Sequence, residues 1–313
     1  MDNFRGALIM VLAMLGFAIE DMFIKMMAGA LPVGQILGLI GLGGAAVFAI
    51  ILMFQRQALF DRSMLSKTIA LRSLGELIGT IGFVSAIALT PISSASAILQ
   101  ATPLTVTLGA ALFLKEPVGW RRWLAILVGF FGVLLIIRPG VDGFDWLSLF
   151  AVQGVIGLAI RDLATRRVPP QTSSMQLSFL AFLVLVPAAV ILMAANGTAW
   201  VQPQPLHWAF LAAALTVGVV AYYGIVAAMR IGEVSFVTPF RYSRMLFALV
   251  VGMAVFGESP DRMTVLGGGI IVASGIYTVW RERKHRQPRA ASLSMPAAGR
   301  YDAPTSEPKG TTS

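Results

Sequence analysis

The chain has 313 residues, of which 57% are hydrophobic and only 12% charged, against about 25% charged in an ordinary soluble domain. That balance excludes a soluble globular protein and makes this an integral membrane protein. Cysteine is absent and the only histidines are His207 and His285, so a disulfide framework, a thiolate metal centre and a histidine cluster are excluded, and no metal or cofactor is expected.

A hydrocarbon core about 30 Å thick takes about 20 apolar helical residues to cross. By that ruler, spans are predicted at about 5–28, 33–54, 68–89, 93–113, 121–137, 145–165, 174–194, 207–229, 234–256 and 263–280. The expected fold is all-α, with ten transmembrane helices. The net charge of +9 comes from basic residues in the short gaps and the tail. With the N-terminus inside, the inner gaps hold Arg56, Arg62, Lys67, Lys115, Arg121, Arg122, Arg166, Arg167, Arg230 and the run "RERKHR", and the outer ones only Lys25, Arg138 and Arg262. This asymmetry predicts cytoplasmic N- and C-termini, and it makes the basic charge a topology signal rather than a nucleic-acid surface. The expected partners are membrane lipid and a small-molecule substrate, with no nucleic acid and with a monomeric or homodimeric chain.

In the first span, the apolar run Ala7 to Ile19 with the small residues "AGA" at 28–30 also fits a signal peptide. Glu20, Asp21 and Lys25 intervene before the cleavage site, and the internal repeat below needs the segment, so it is read as a span. Glu20 and Asp21 lie about two-thirds of the way across, as gating or ion-coupling candidates or as hydrated helix-end charges. In the second span, "GLGGAA" at 41–46 loosely mimics a dinucleotide-binding glycine pattern but follows no strand. Gly34 with Gly38, and Gly75 with Gly79 in the third span, have the GxxxG spacing that lets helices approach closely. The third span also carries Arg72 and Glu76, four apart and on one face, with Glu76 ~12 Å from the inner surface. Gln100 stands in the middle of the fourth span.

The sixth span holds Arg161 and Asp162, further gating or coupling candidates. The eighth offers Tyr222 and Tyr223, as ligands or as packing residues. The ninth reads "FRYSRML" from Phe240 to Leu246, with Arg244 ~15 Å and Arg241 ~10 Å into the membrane at 1.5 Å per residue. Pro239, just before them, is expected to kink or unwind the helix. A charge in a span costs at least ~2.5–3.5 kcal/mol and faces a cavity or a partner. The expected partner of the two arginines is Glu76 or an anionic ligand, because a guanidinium binds carboxylate or phosphate bidentately. Arg241, Arg244, Glu76, Arg72, Gln100, Tyr222 and Tyr223 are therefore the substrate-binding candidates. Residues 284–313 lack periodicity and read as a disordered cytoplasmic tail.

The chain also matches itself at an offset near 140 residues. "AIEDMFIK" at 18–25 aligns with "AIRDLATR" at 159–166, which pairs Glu20 with Arg161, Asp21 with Asp162 and Lys25 with Arg166. Residues 86–103 align with 226–243, and "LFLKEP" aligns with "AVFGESP", placing Glu116 opposite Glu258. Five spans per half place the second copy upside down. The result is two inverted five-helix repeats, 5–140 and 145–283, as in secondary transporters that rock about a site near the midplane.

The first half ends in "LFLKEPVGWRRWLAILVGFFGVLLIIRPG" and the second in "FGESPDRMTVLGGGIIVASGIYTVWRER". With the five-span unit, these segments resemble the drug/metabolite transporter superfamily, and within it the EamA-type ten-span carriers, over about residues 5–283. The resemblance implies a basket of helices whose third, fourth, eighth and ninth members line a central cavity, with the fifth and tenth peripheral. It implies alternating-access transport in the inner membrane, of vitamins such as riboflavin, of S-adenosylmethionine, or of amino acids and other exported metabolites. A polytopic membrane enzyme would need Asp-rich or His-containing motifs at a membrane face, and Asp142 with Asp145 is too sparse. A passive channel needs no inverted halves but is compatible with them, so it stays open as an alternative.

Overall fold

A computed structural model describes residues 2–115, 119–138, 145–165, 167–169, 171–231 and 237–293. Its helices are α1 (Asp2–Ala28), α2 (Val33–Phe54), α3 (Lys67–Leu89), α4 (Ile92–Leu99), α5 (Thr102–Phe113), α6 (Trp120–Ile137), α7 (Leu149–Thr165), α8 (Ser174–Ala195), α9 (Pro205–Ile231), α10 (Ser243–Phe256) and α11 (Arg262–Leu293). Short 3-10 turns occupy Arg62–Leu65, Trp146–Ser148 and Thr238–Tyr242. Among the described residues, nine helical segments are long and apolar enough to cross a membrane, and a further apolar helix, Trp123–Ile137, is shorter.

Observed helix ends fall close to the expected ones because local chemistry sets them. Ser66 caps α3 by accepting from Ile69 N, and Ser173 with Gln176 forms a capping box on α8. Gly257, at φ 63°, ends α10 in the left-handed conformation that glycine adopts without a steric penalty. Two features differ from expectation. The last helix continues through Leu293, so residues 284–293 are helical where a disordered tail was expected. The fourth crossing is not one helix but two, α4 and α5, broken at Gln100–Ala101. Pro103 explains the break, since it lacks the N–H that would bond Leu99 O; the Thr102 hydroxyl donates to that carbonyl instead, at 2.7 Å. The segment before α10 has the same Thr-Pro pair at Thr238-Pro239 and a 3-10 turn there, as Pro239 led one to expect. Glu116, Asp142, Arg166 and residues 294–313 lie outside the described residues.

Large apolar side chains such as Leu42, Phe131, Val190, Val220 and Leu246 point outward, the arrangement a bilayer solvates. Lipid tails offer no hydrophobic drive to bring helices together, so close backbone approach at small residues does so. A Cβ at Gly75 would lie 2.6 Å from Arg161 N, one at Gly82 2.6 Å from Gly154 N, and one at Gly132 2.7 Å from Gly267 O. On α2, Gly34 and Gly38 both face Ala189 of α8.

The main partnerships are α1 with α9, α2 with α8, α3 with α7 and α6 with α11, and α4 packs on α10. Contact positions rise on one helix as they fall on the other: Gly75 meets Arg161 while Gly82 meets Gly154, and Gly34 meets Leu192 while Gly44 meets Phe182. Each pair is therefore antiparallel. Exchanging the two halves maps α2·α8 and α6·α11 onto themselves and turns α3·α7 into α9·α1, with α5 the counterpart of α10. Equivalent helices run in opposite directions, which is the inverted repeat expected from the sequence.

Candidate functional site

The charged residues singled out in the spans converge between the halves. Asp21 on α1 is 3% exposed and accepts from Arg244 Nη2 at 2.7 Å. The Arg244 guanidinium lies between two aromatic faces, 5.1 Å from the Phe17 ring centre and 4.9 Å from that of Phe83. Phe17 is one turn before Asp21 on the same face of α1, so one helix supplies both the carboxylate and an aromatic surface for the cation.

On α3, Arg72 is 3% and Glu76 6% exposed, and their charged atoms approach to 3.6 Å. Arg161 of α7 donates to Glu76 Oε1 at 3.1 Å and to Asp162 Oδ1 at 2.8 Å. Gly75 and Gly157, which bring α3 and α7 into backbone contact, put Glu76 within reach of Arg161. Among the described residues, several buried polar atoms of this region have no hydrogen-bond partner: Arg72 Nε and Nη1, Glu76 Oε2 and Arg244 Nε.

The pairing differs from the sequence expectation. Arg244 meets Asp21 rather than Glu76, and Glu76 is held by Arg161 and Arg72. Glu20 and Asp21, read as possible helix-end charges, sit with the midspan arginine. Gln100 is buried, and its amide donates to the Tyr242 and Arg241 carbonyls at 3.0 and 3.5 Å, tying the break between α4 and α5 to the 3-10 turn before α10. Tyr222 packs edge-on against Phe48 and Phe182. Tyr223 is 57% exposed and faces away from the cluster, because it is the next helical position and points about 100° round from Tyr222. The charges come from α1, α3, α7 and the segment Thr238–Phe256; α9 supplies small and aromatic surface.

A second charged group was missed in sequence. Lys25, one turn beyond Asp21 on α1, donates to Thr90 O and to Ile87 O, the latter at 3.3 Å. It also pairs with Glu258 Oε1 at 3.5 Å and lies 5.4 Å from the Phe256 ring centre. Glu258 in turn accepts from Ile92 N at 2.7 Å, Ser93 N at 3.1 Å and Ser93 Oγ at 2.7 Å. It therefore caps α4 from a loop of the other half. The signal was present: the repeat matches Lys25 with Arg166 and Glu258 with Glu116, so both halves keep the same two charge types at this position.

Comparison with known proteins places the chain in a family. Residues 4–138 and 145–280 each match the EamA-like transporter family, the two copies coinciding with the two structural halves. The chain is 31% identical over 201 residues to a riboflavin transporter of Vibrio cholerae, a match spanning 64% of this chain and 66% of that one. It is 26% identical over 214 residues to an S-adenosylmethionine uptake transporter of Rickettsia prowazekii, covering 68% and 72% of the two chains. It is 29% identical over 283 residues to a pseudopaline exporter of Pseudomonas aeruginosa, covering 87% and 94%. A solved crystal structure matches with a TM-score of 0.57 at 17% identity, covering 86% of this chain and 97% of that one, a likeness of fold alone.

Proposed function

Because the chain belongs to the EamA-like transporter family, we propose that it is an inner-membrane secondary carrier that moves a small organic metabolite by alternating access, without chemical conversion. It crosses ten times with both termini cytoplasmic, a topology supported by the placement of its lysines and arginines. The observation that carries the reading is the antiparallel pairing of equivalent helices around buried charge at midspan. Two inverted halves that share a charged centre have two mirror-related ways of closing, one at each membrane face.

Substrate contacts fall to the central charged cluster, with Arg241 and Arg244 on the ninth crossing, Arg72 and Glu76 on the third, and Tyr222 alongside. Asp21, Glu20, Arg161 and Asp162 hold or release those arginines as the halves move. Lys25 and Glu258 close the outer end, since they tie α1, the α3–α4 corner and the end of α10 together. The named relatives carry riboflavin, S-adenosylmethionine and pseudopaline, which spans vitamin uptake and metabolite export.

The reading is tested by expressing the chain in cells lacking the corresponding carriers, then following labelled riboflavin, S-adenosylmethionine and amino acids across the membrane. The expected result is a change in distribution of one solute class, recovered chemically intact. Conversion of the solute instead of its movement would replace the carrier with an enzyme.

A further inference from the structure

We infer that the inner end of the α6·α11 pair binds an anionic phospholipid of the cytoplasmic leaflet, its phosphate at the basic ends of the two helices and its acyl chains along their apolar outer face. This goes beyond the carrier reading and shares with it only the placement of both termini in the cytoplasm.

Helix α6 ends the first half and α11 the second. Gly132 meets Gly267 and Gly129 meets Ser274, so at 1.5 Å per residue the first turn of α6 comes level with about residues 278–282 of α11. Two basic clusters far apart in sequence therefore share one end of the molecule. Arg121 and Arg122 open α6, and Arg281, Arg283 and Lys284 follow the last membrane turn of α11. Because α11 is continuous from Arg262 to Leu293, those three positions stand within ~6 Å of Trp280 along the axis, the depth of a headgroup layer.

The charge at this end is one-sided. The acids beside these basic residues in sequence are Glu116 and Glu282, too few to balance them. At the opposite, outer end of the same helix pair, Arg138 is met by Asp261. Basic residues placed just inside a membrane attract anionic headgroups, each adding to the affinity, and the N–H groups of the first turn of α6 face the same end, where a phosphate is favoured.

Aromatic residues make the partner a membrane lipid rather than a soluble anion. Three of the six tryptophans, Trp120, Trp123 and Trp280, lie at this end of the pair. Trp120 and Trp280 are exposed, the Arg121 guanidinium lies 5.2 Å from the Trp120 ring centre, and Tyr277 packs on Trp280 with ring centres 6.0 Å apart. Indole and phenol groups settle at headgroup level, with their apolar bodies in the chains and their polar edges in water. Towards midspan, Leu124, Leu127, Val128 and Phe131 of α6 are exposed and give the acyl chains a surface. The inner loop between α2 and α3 carries Arg56 and Arg62 but neither tryptophan nor tyrosine, so it has the charge without the girdle.

The test uses the purified, delipidated full chain in detergent micelles, where orientation in a membrane plays no part. The protein is mixed with equal amounts of phosphatidylglycerol and phosphatidylethanolamine, and the lipid it retains is read by native mass spectrometry. Wild type should retain phosphatidylglycerol in about fivefold excess or more and melt several degrees higher with it than with phosphatidylethanolamine. Arg121→Gln with Arg122→Gln, and separately Arg281→Gln with Lys284→Gln, should each bring retention close to parity. Arg56→Gln with Arg62→Gln, which removes the same charge from the other loop, should leave the preference intact. Equal retention of the two lipids by wild type overturns the inference. So does an equal loss in the Arg56 and Arg62 variant, which would make the attraction a matter of net charge. Inorganic phosphate at the same concentration should neither raise the melting temperature nor displace the lipid; if it does, the partner is a free anion and the inference falls. Should one double variant fail to fold, the other still decides. No arm reads transport, so the carrier reading stands or falls separately.

Discussion

Arg244 shows what a single residue contributes. Its guanidinium bonds Asp21 and lies between Phe17 and Phe83, so truncation leaves a carboxylate buried without its cation. Breaking a buried pair from one side costs about 3–5 kcal/mol, more than the pair itself is worth. Arg244→Ala should abolish transport while insertion, followed by yield and monodispersity in detergent, is retained. Normal transport by that variant would make Arg244 a packing residue. Removing both charges should hurt less than the single changes suggest, because the double variant leaves no orphan. In thermal melts, Asp21→Asn with Arg244→Gln should therefore show about 1–3 kcal/mol of favourable coupling, and strict additivity would contradict the pair. Hydropathy alone identified Arg241, Arg244, Arg72 and Glu76, since charge in an apolar run is visible in one dimension. Their pairing was not visible, because Asp21 and Arg244 are 223 positions apart and only helix packing decides which acid a guanidinium reaches.

At the level of elements, two local devices position the site. One is the row of glycines Gly75, Gly79 and Gly82 facing Gly154 and Gly157, which sets α3 on α7 and so brings Glu76 to Arg161. Gly82→Leu should separate these helices, lowering the melting temperature by several degrees and weakening transport; an unchanged melt would show that the crossing tolerates a side chain. The other device is the Thr-Pro break at Thr102-Pro103 and at Thr238-Pro239, where Thr102 replaces the missing N–H of Pro103 and Gln100 joins the two broken segments. Helix bounds were legible because caps and apolar lengths are local. The break at Gln100–Ala101 was missed because Thr102-Pro103 lies within an otherwise continuous apolar stretch, whereas Pro239 drew notice from the arginines beside it.

For the whole molecule, the inverted repeat was legible as an offset near 140 residues, and the antiparallel pairing of α2 with α8 and of α6 with α11 is its three-dimensional form. Lys25 and Glu258 pair at one end of this arrangement, the contact proposed as its closure. The absence of native cysteine makes that closure measurable. Ser96 is buried on α4, one turn past Ser93. Ser96→Cys should react slowly with a membrane-impermeant maleimide added outside, and several-fold faster once Glu258→Gln weakens the α4 cap and the Lys25 pair. Equal rates would mean that the contact is no closure.

The most direct test of the carrier itself is counterflow in proteoliposomes. Vesicles preloaded with unlabelled substrate should accumulate external labelled substrate transiently and above equilibrium, with saturation, and Arg244→Ala should eliminate the overshoot. Flux that rises linearly with concentration and shows no overshoot would contradict alternating access and make the protein a channel.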